Sequence, residues 1–485
     1  MESYFGDLNW VRWIFQHALA GIYLVAFISA WKQFPALLGE KGLLPAFQFV
    51  KRASFWQSPS IFHWHYSDRF LRALAILGAA LSAAVLLGLP DQGSWWLSMG
   101  IWLALWFIYL SIVNVGQVFY AFGWESMLLE AGCFAAFLGP ASWQTPIIPI
   151  LILRWMLFRT ELGAGLIKLR HDECWQKLTC LFYHYETQPL PNPLSWYFHH
   201  FPKIIHQFSI LFSHFVQIIV PFGLFAPQPI AGICGGLIIF HQFWLIVSGN
   251  YSWLNWLTIV LGITALNDAQ LGFFLPLSTI ASGSAIPHFY NLILLALAGV
   301  TTLLSIQPIL NLFSRNQLMN YSYNPFHLVN TYGAFGSVTQ KRYEIILEGT
   351  DSPILSAGSQ WKEYEWKGKP GNIQRTPPQV APYHLRLDWL MWFLPFSVKI
   401  TDKKIKMYGY EPWFINFVQK LLRGDPQIIK LLGTNPFPES PPSFIRAQFY
   451  RYQFTTPEEK KQTGAWWKRE HIGEYLPPVS SNSFL

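Results

Sequence analysis

Charge is what this sequence has least of. Lys, Arg, Asp and Glu make up 12% of its 485 residues, about half the share usual in soluble domains. Between Lys203 and Arg315 the one charged side chain is Asp268. A water-exposed segment of that length needs more, so lipid is the expected solvent for much of the chain. Familiar catalytic patterns are absent too: no P-loop, no dinucleotide fingerprint, no His-Glu-x-x-His and no Gly-x-Ser-x-Gly. Nothing therefore points to a nucleotide enzyme, a metal-dependent hydrolase or a serine hydrolase, and no cofactor or metal is expected. No Lys/Arg-rich run, zinc-finger or RNP pattern accompanies the net charge of +8, so nucleic acid is not an expected partner. Cysteine is scarce, four in all, and Cys-x-x-Cys is missing, which removes a thioredoxin-like redox centre. The N-terminus has no basic region before the first apolar run and no clear cleavage site after it, so that run is expected to stay as a span.

What is present is a series of apolar runs. A membrane helix needs about 20 mostly apolar residues. Runs near 12–30, 70–89, 95–113, 118–139, 147–168, 204–225, 229–248, 252–267 and 286–310 approach that length, those at 118–139 and 252–267 least securely. Trp10, Trp13, Trp31, Trp95, Trp96, Trp143, Trp253 and Trp256 stand near the run ends, as in interfacial belts. The expected fold is a polytopic α-helical membrane bundle of about eight or nine spans with a C-terminal β-rich extramembrane domain. The bundle takes residues 1–310, with a motif loop at 169–203, and the β-rich domain residues 311–485. With nine spans, loop 31–69, loop 169–203 and the tail share one face, and only short links such as Pro90–Ser94 and Pro140–Pro146 lie opposite. Lys32, Lys41, Lys51, Arg52 and Arg69 would put the heavier face in the cytoplasm by the positive-inside rule.

Of the 34 Lys and Arg, 21 fall in residues 311–485, so the positive charge belongs mainly to the tail, where an anionic membrane surface is a simple partner. There, 342–350 and 446–454 read as strands and 361–367 alternates aromatic with charged residues. Gly-Lys-Pro-Gly at 368–371 marks a turn, 384–393 is an apolar half-span, and 413–433 reads as helix broken at Gly424-Asp425-Pro426.

Chemistry-bearing residues concentrate between 125 and 200. Arg154, Glu161 and Lys168 are spaced by seven, which places them on nearly one helix face. Charges in an apolar span usually pair or face a wet cavity, and Glu125 and Glu130 on the preceding run are the expected partners. Two readings stand. The stripe is a structural ion-pair network with Lys168 reaching for the interface, or a polar cavity in which Lys168 acts as a base or binds an anion. Cys133 and Cys234 read as small core residues. Cys174 and Cys180, outside the runs, can close a disulfide only if the chain turns back between them. Free thiols are the next reading, and a metal site suits the spacing least. His63, His65, His171, His184, His199, His200, His206, His214 and His241 are many for a bundle, and read mostly as hydrogen-bonded interfacial residues.

Long composite motifs run along the chain: Trp10-Val-Arg-Trp13, Asn114-Val-Gly-Gln117, Trp124-Glu-Ser-Met-Leu-Leu-Glu130, Lys168-Leu-Arg170, Asp172-Glu-Cys-Trp175, Leu178-Thr-Cys180 and Tyr183-His-Tyr-Glu-Thr-Gln-Pro-Leu-Pro-Asn-Pro193. The tail adds His327-Leu-Val-Asn-Thr-Tyr-Gly333, stretches 343–350, 361–371 and 377–392, Asn435-Pro-Phe-Pro438, Tyr450-Arg-Tyr452 and Gly464-Ala-Trp-Trp467. Together they resemble the lipase maturation factor family over nearly the whole length. The resemblance implies a membrane-embedded maturation or chaperone-like factor that helps client proteins, lipases in particular, to fold and leave. Its partners would be the bilayer and that client, and it would not be an enzyme. It would reside in the endoplasmic reticulum membrane of a eukaryote, or in the inner membrane if the chain is bacterial. The loop and tail would then be lumenal, against the charge rule, and an oxidising compartment would suit a Cys174–Cys180 disulfide. Trp175, His184, Glu186, Gln188 and Asn192 would belong to a client- or ligand-facing surface. Two Asn-x-Ser sequons, at Asn250 and Asn320, do not decide the source. A shorter stretch, Ala164-Gly-Leu-Ile-Lys-Leu169 followed by Trp175, is similar to vitamin K-dependent γ-carboxylases. It implies an intramembrane enzyme with Lys168 as base and Glu161 or Glu125 as its partner.

Overall fold

Residues 2–276, 283–401 and 404–484 are described in a computed structural model of the chain. The main helices of the bundle are α1 (Asn9–Leu38), α2 (Asp68–Leu86), α3 (Trp95–Asn114), α4 (Gly123–Ala135), α5 (Ile147–His171), α6 (Lys203–Phe225), α7 (Ile230–Ser248), α8 (Leu254–Ile263) and α9 (His288–Phe313). Among the described residues six of them, α1, α2, α3, α6, α7 and α9, are long and apolar enough to cross a membrane. Helix α5 has the length, 25 residues, but carries Arg154, Arg159, Glu161 and Lys168. The runs at 118–139 and 252–267 give helices of only 13 and 10 residues. In the first, a separate turn at Gln117–Tyr120 breaks off before α4, and Gly139 (φ 70°) with Pro140 bars extension. In the second, Ser252 (φ 54°) precedes α8 and Asn267 caps a new turn after it.

Short links gather at one end of the bundle. The Asp268 carboxylate accepts the backbone N–H groups of Asn9 and Val11 at 2.9 and 3.1 Å, an acid at the positive end of α1. Arg12 donates to the carbonyls of Pro140 and Trp143 at 2.8 and 3.0 Å. The bulky pieces meet at the other end. Asn114 donates to the carbonyls of Pro59 and Pro325 at 2.8 and 3.0 Å, and Asn250 to those of Pro191 and Pro378 at 3.2 and 2.9 Å. Asn250 is buried and spent in these bonds, so the folded protein has no room for a glycan on it.

The C-terminal region holds β1 (Arg342–Thr350), β2 (Lys362–Glu363), β3 (Val398–Thr401), β4 (Lys404–Met407), β5 (Phe444–Phe454) and β6 (Trp467–Val479). Four of them form an antiparallel sheet in the order β2-β1-β5-β6, and β3 pairs with β4 as a separate hairpin. The strand expected at 342–350 is β1, and that at 446–454 lies within β5. The alternating stretch 361–367 yields only the two residues of β2. Helix α10 (Arg386–Met391) occupies the apolar half-span, and α11 (Pro412–Leu422) stops at the expected break, where the Asp425 side chain caps the next turn. Strand β6 was not anticipated. Its Lys468–His471 stretch is exposed along the sheet edge, so it lacks the apolar alternation by which a strand is read.

Residues 317–335 turn back onto the bundle rather than joining the sheet. Gln317 donates to the Gly163 carbonyl at 2.9 Å, and a Cβ on Gly163 would collide with the carbonyl oxygen of Tyr332. Small residues let backbones approach in this way inside membrane bundles. Gly163→Ala is therefore expected to destabilise by about 1–3 kcal/mol, the usual effect of overpacking, read as a lowered unfolding midpoint of the purified protein. An unchanged midpoint would show that the contact is dispensable.

Candidate functional site

The seven-residue stripe on α5 holds no direct ion pair among the described residues, although Glu161 and Lys168 act on each other at longer range. Arg154 donates to the carbonyls of Thr264 and Leu224 at 2.8 and 3.2 Å and lies over the Phe5 ring. Glu161 accepts from the Gln242 amide at 2.7 Å. Lys168 donates to the Gln217 amide oxygen at 2.7 Å, and its ammonium sits 4.8 Å from the centre of the Trp175 ring. Lys168 is 4% exposed, so it does not reach for the interface.

The two acids expected to pair with the stripe turn away from it. Glu130 is ion-paired with Arg159, and also accepts from the Asn330 backbone N–H at 2.9 Å and the Tyr332 hydroxyl at 2.7 Å. Glu125 is paired with Arg386 at 2.6 Å and accepts from the Tyr109 hydroxyl. The physical reason is that the C-terminal region lies alongside α4 and presents its polar groups to both carboxylates. Arg159 and Arg386 escaped the sequence reading. Arg159 lies off the seven-residue face, and Arg386 lies 261 positions from Glu125, so no local pattern joins it. The available signal was a further charge inside an apolar run, which needs a partner.

The loop after α5 does turn back. A four-residue helix at Glu173–Gln176 ends, Leu178 takes φ 55°, and Thr179 donates its N–H to the Cys174 carbonyl at 2.8 Å. Cys174 and Cys180 form a disulfide with Cα atoms 4.9 Å apart. Cys174→Ser is expected to lower stability by about 2 kcal/mol, the value for so short a closed loop. Equal unfolding midpoints for wild type and variant under non-reducing conditions would refute that role.

Trp175, His184, Glu186, Gln188 and Asn192 are all at most 8% exposed. In this structure they join the loop to its surroundings instead of presenting it outward. Trp175 donates to the Phe335 carbonyl at 2.8 Å. His184 contacts the Tyr251 hydroxyl at 2.9 Å, and that hydroxyl donates to Gln188 at 2.6 Å. Burial, with Lys168 nearby, holds the His184 imidazole down to about 4, so it is neutral at pH 7. Glu186 accepts the Phe454 N–H at 2.7 Å, and Asn192 donates to the Val247 carbonyl at 3.0 Å. From the sheet side, Arg342 donates to the carbonyls of Glu186 and Pro189 at 3.1 Å each. Arg342, Glu344 and Lys369 form a buried charge triad immediately beneath the loop.

Between α6, α7 and the disulfide loop lies a cavity of about 320 Å³ lined by Lys168, Trp175, His184, Phe208, Phe212, Ser213, Phe240, His241, Trp244 and Phe335, among others. Helix α6 is irregular there. It is α-helical to His214, widens to a π turn over Phe215–Ile219 and tightens to 3₁₀ from Val220. Pro221 has no N–H for the Gln217 carbonyl, and the π turn carries Gln217 to Lys168. No group of three or more His, Cys, Asp or Glu side chains is placed to hold a metal among the described residues.

Fold and site together define a multi-pass membrane protein whose β-containing C-terminal region is pinned to its bundle by the buried Glu125–Arg386 pair and by a disulfide-closed loop. Residues 10–273 match the lipase maturation factor transmembrane domain, and residues 328–477 match the lipase maturation factor C-terminal domain. The chain is 41% identical to lipase maturation factor 1 of Homo sapiens, over 97% of this chain and 88% of that one. It is 40% identical to lipase maturation factor 1 of Mus musculus, over 96% of this chain and 87% of that one. It is 29% identical to lipase maturation factor 2 of Xenopus tropicalis, over 98% and 83%. No solved structure matches it. The chain belongs to the lipase maturation factor family. The γ-carboxylase-like reading gains no support from these relatives.

Proposed function

We propose that this protein is a membrane-embedded maturation factor that assists the folding and export of a lipase client. The observation that carries this reading is the match to lipase maturation factor 1 through both the membrane and the C-terminal regions, over 96–97% of the chain. The client would meet the outer side of the 311–485 region, where Ile354 and Leu355 are exposed on one loop and β6 forms a sheet edge. In this reading the bundle, residues 1–310, crosses the membrane nine times, with α4 and α8 as short crossings shielded by their neighbours. Irregular backbone at membrane depth is tolerated where protein buries it. The loop and tail face the oxidising side, the endoplasmic reticulum lumen or the periplasm, which suits the Cys174–Cys180 disulfide.

Co-expression with a secreted lipase is the test of function. Active lipase in the medium is expected to rise with the wild type, and to rise less with Ile354→Asp and Leu355→Asp combined. No effect of the wild type on any lipase would sink the reading. Sidedness is a separate test. Gln360→Cys is expected to react with an impermeant maleimide only from the lumenal or periplasmic side of sealed vesicles, and Ser142→Cys only from the cytoplasmic side. The reverse pattern would restore the charge rule.

A further inference from the structure

We propose that the cavity beside Lys168 binds a single-chain anionic amphiphile. Its carboxylate or phosphate head would rest on the Lys168 ammonium, and its chain would run out between α6 and α7 into the lipid. This inference does not depend on the identity of the client.

The head-group end is defined by unspent polar groups. An ammonium has three donors, and Lys168 uses one, on Gln217. No carboxylate lies within 4.0 Å of it among the described residues. A buried cation with no directly paired carboxylate is costly, and an anion in the cavity would reduce that penalty. Glu161 acts on Lys168 only from beyond ion-pair distance, and Gln242 holds one of its two oxygens. His241, 3% exposed, lines the same cavity with its Nδ1 atom unpartnered. A purely structural lysine would instead be paired, as Lys369 is with Glu344.

The chain end is defined by the walls and the mouth. The cavity volume of about 320 Å³ lies at the small end of ligand sites, enough for a head group and the first part of one chain. Phe208 and Phe240, on opposite walls, are 69% and 55% exposed, on helices apolar enough to span a membrane. The opening therefore faces acyl chains. Neither α6 beyond Lys203 nor α7 carries a charged residue, so nothing at the mouth attracts a small hydrophilic ion. An amphiphile arriving through the lipid meets the matching order of surfaces, apolar outside and cationic within.

The test uses the full-length protein in phosphatidylcholine nanodiscs with three radiolabelled sixteen-carbon probes: hexadecanoate, 1-hexadecanoyl-lysophosphatidate and hexadecanol. Saturable binding of at least one anionic probe is expected, roughly tenfold or more tighter than hexadecanol, the scale of one charge-assisted hydrogen bond. Whichever anion binds more tightly identifies the head group as carboxylate or phosphate. Lys168→Met should lose that preference and Lys168→Arg should retain it. Ser209→Trp, which fills the cavity while leaving Lys168 in place, should abolish binding of all three. An unchanged unfolding midpoint and an intact Cys174–Cys180 disulfide certify each variant, and if Lys168→Met fails to fold, Ser209→Trp and the hexadecanol comparison decide. Equal binding of hexadecanol and the anions, or no saturable binding by either anion, would overturn the proposal. So would binding untouched by Ser209→Trp.

Discussion

Arg386→Met is expected to destabilise the protein by about 3–5 kcal/mol, the effect of removing one partner of a buried ion pair. Arg386 and Glu125 are both fully buried. The guanidinium also donates to the Phe119 carbonyl at 2.8 Å and stacks on Tyr120, 3.5 Å from its ring centre. Methionine fills much of the space but leaves the Glu125 carboxylate with only the Tyr109 hydroxyl and the distant His384 ring, 3.8 Å away. Total stabilities are about 5–15 kcal/mol, so the loss is a large share. Because this pair joins the bundle to the C-terminal region, limited proteolysis should release a C-terminal fragment from the variant before wild type is cut. Glu125→Gln added to Arg386→Met should recover much of the loss, since no uncompensated charge then remains. A single variant as protease-resistant as wild type would mean that the pair does not hold the two regions together.

The second large effect is expected at Glu344, and it is asymmetric. Among the described residues Glu344 is the one carboxylate in direct ion-pair contact with both buried cations, Arg342 and Lys369, and all three side chains are fully buried. Burial pushes the Lys369 ammonium below its ordinary value even with Glu344 beside it, so this cation is not easily held without the acid. Glu344→Gln should cost at least about 3–5 kcal/mol and yield little folded protein. Lys369→Met leaves the Arg342–Glu344 pair whole and should cost less. Adding it to Glu344→Gln should improve yield. Folded protein recovered by size-exclusion chromatography gives the ranking, and equal yields for the two single variants would contradict the shared-anion arrangement.

The fold was legible where one physical pattern dominated. Apolar runs of spanning length gave α1, α2, α3, α6, α7 and α9, and the strand-like residues at 342–350 gave β1 without loss. Runs 118–139 and 252–267, the least secure of the nine, give helices shorter than the runs, because hydropathy measures burial in apolar surroundings, and α4 and α8 meet that condition inside the protein. Spacing put Arg154, Glu161 and Lys168 on one face correctly, but a helix face does not say which neighbour arrives. Three different elements meet that face at three heights. The loop residues Gln188 and Asn192, which the family resemblance assigns to a client- or ligand-facing surface, are buried in this structure. Polar side chains in a Pro-rich loop look like surface chemistry until the sheet above them is known, and that sheet is built from residues more than a hundred positions away.

The pairing of Glu125 with Arg386 also has a meaning in time. Helix α4 is synthesised early, while its cation follows 261 residues later and the Tyr332 hydroxyl that serves Glu130 follows 202 residues later. At a synthesis rate of about 5–20 residues per second, the first acid waits on the order of ten to fifty seconds for its partner. Until then the nascent bundle offers the Glu125 carboxyl group the Tyr109 hydroxyl but not the cation that pairs with it. The C-terminal region is thus the last piece set in the arch. A chain interrupted before residue 386 lacks the cation that pairs with Glu125, and with it the ion pair that joins the bundle to the C-terminal region.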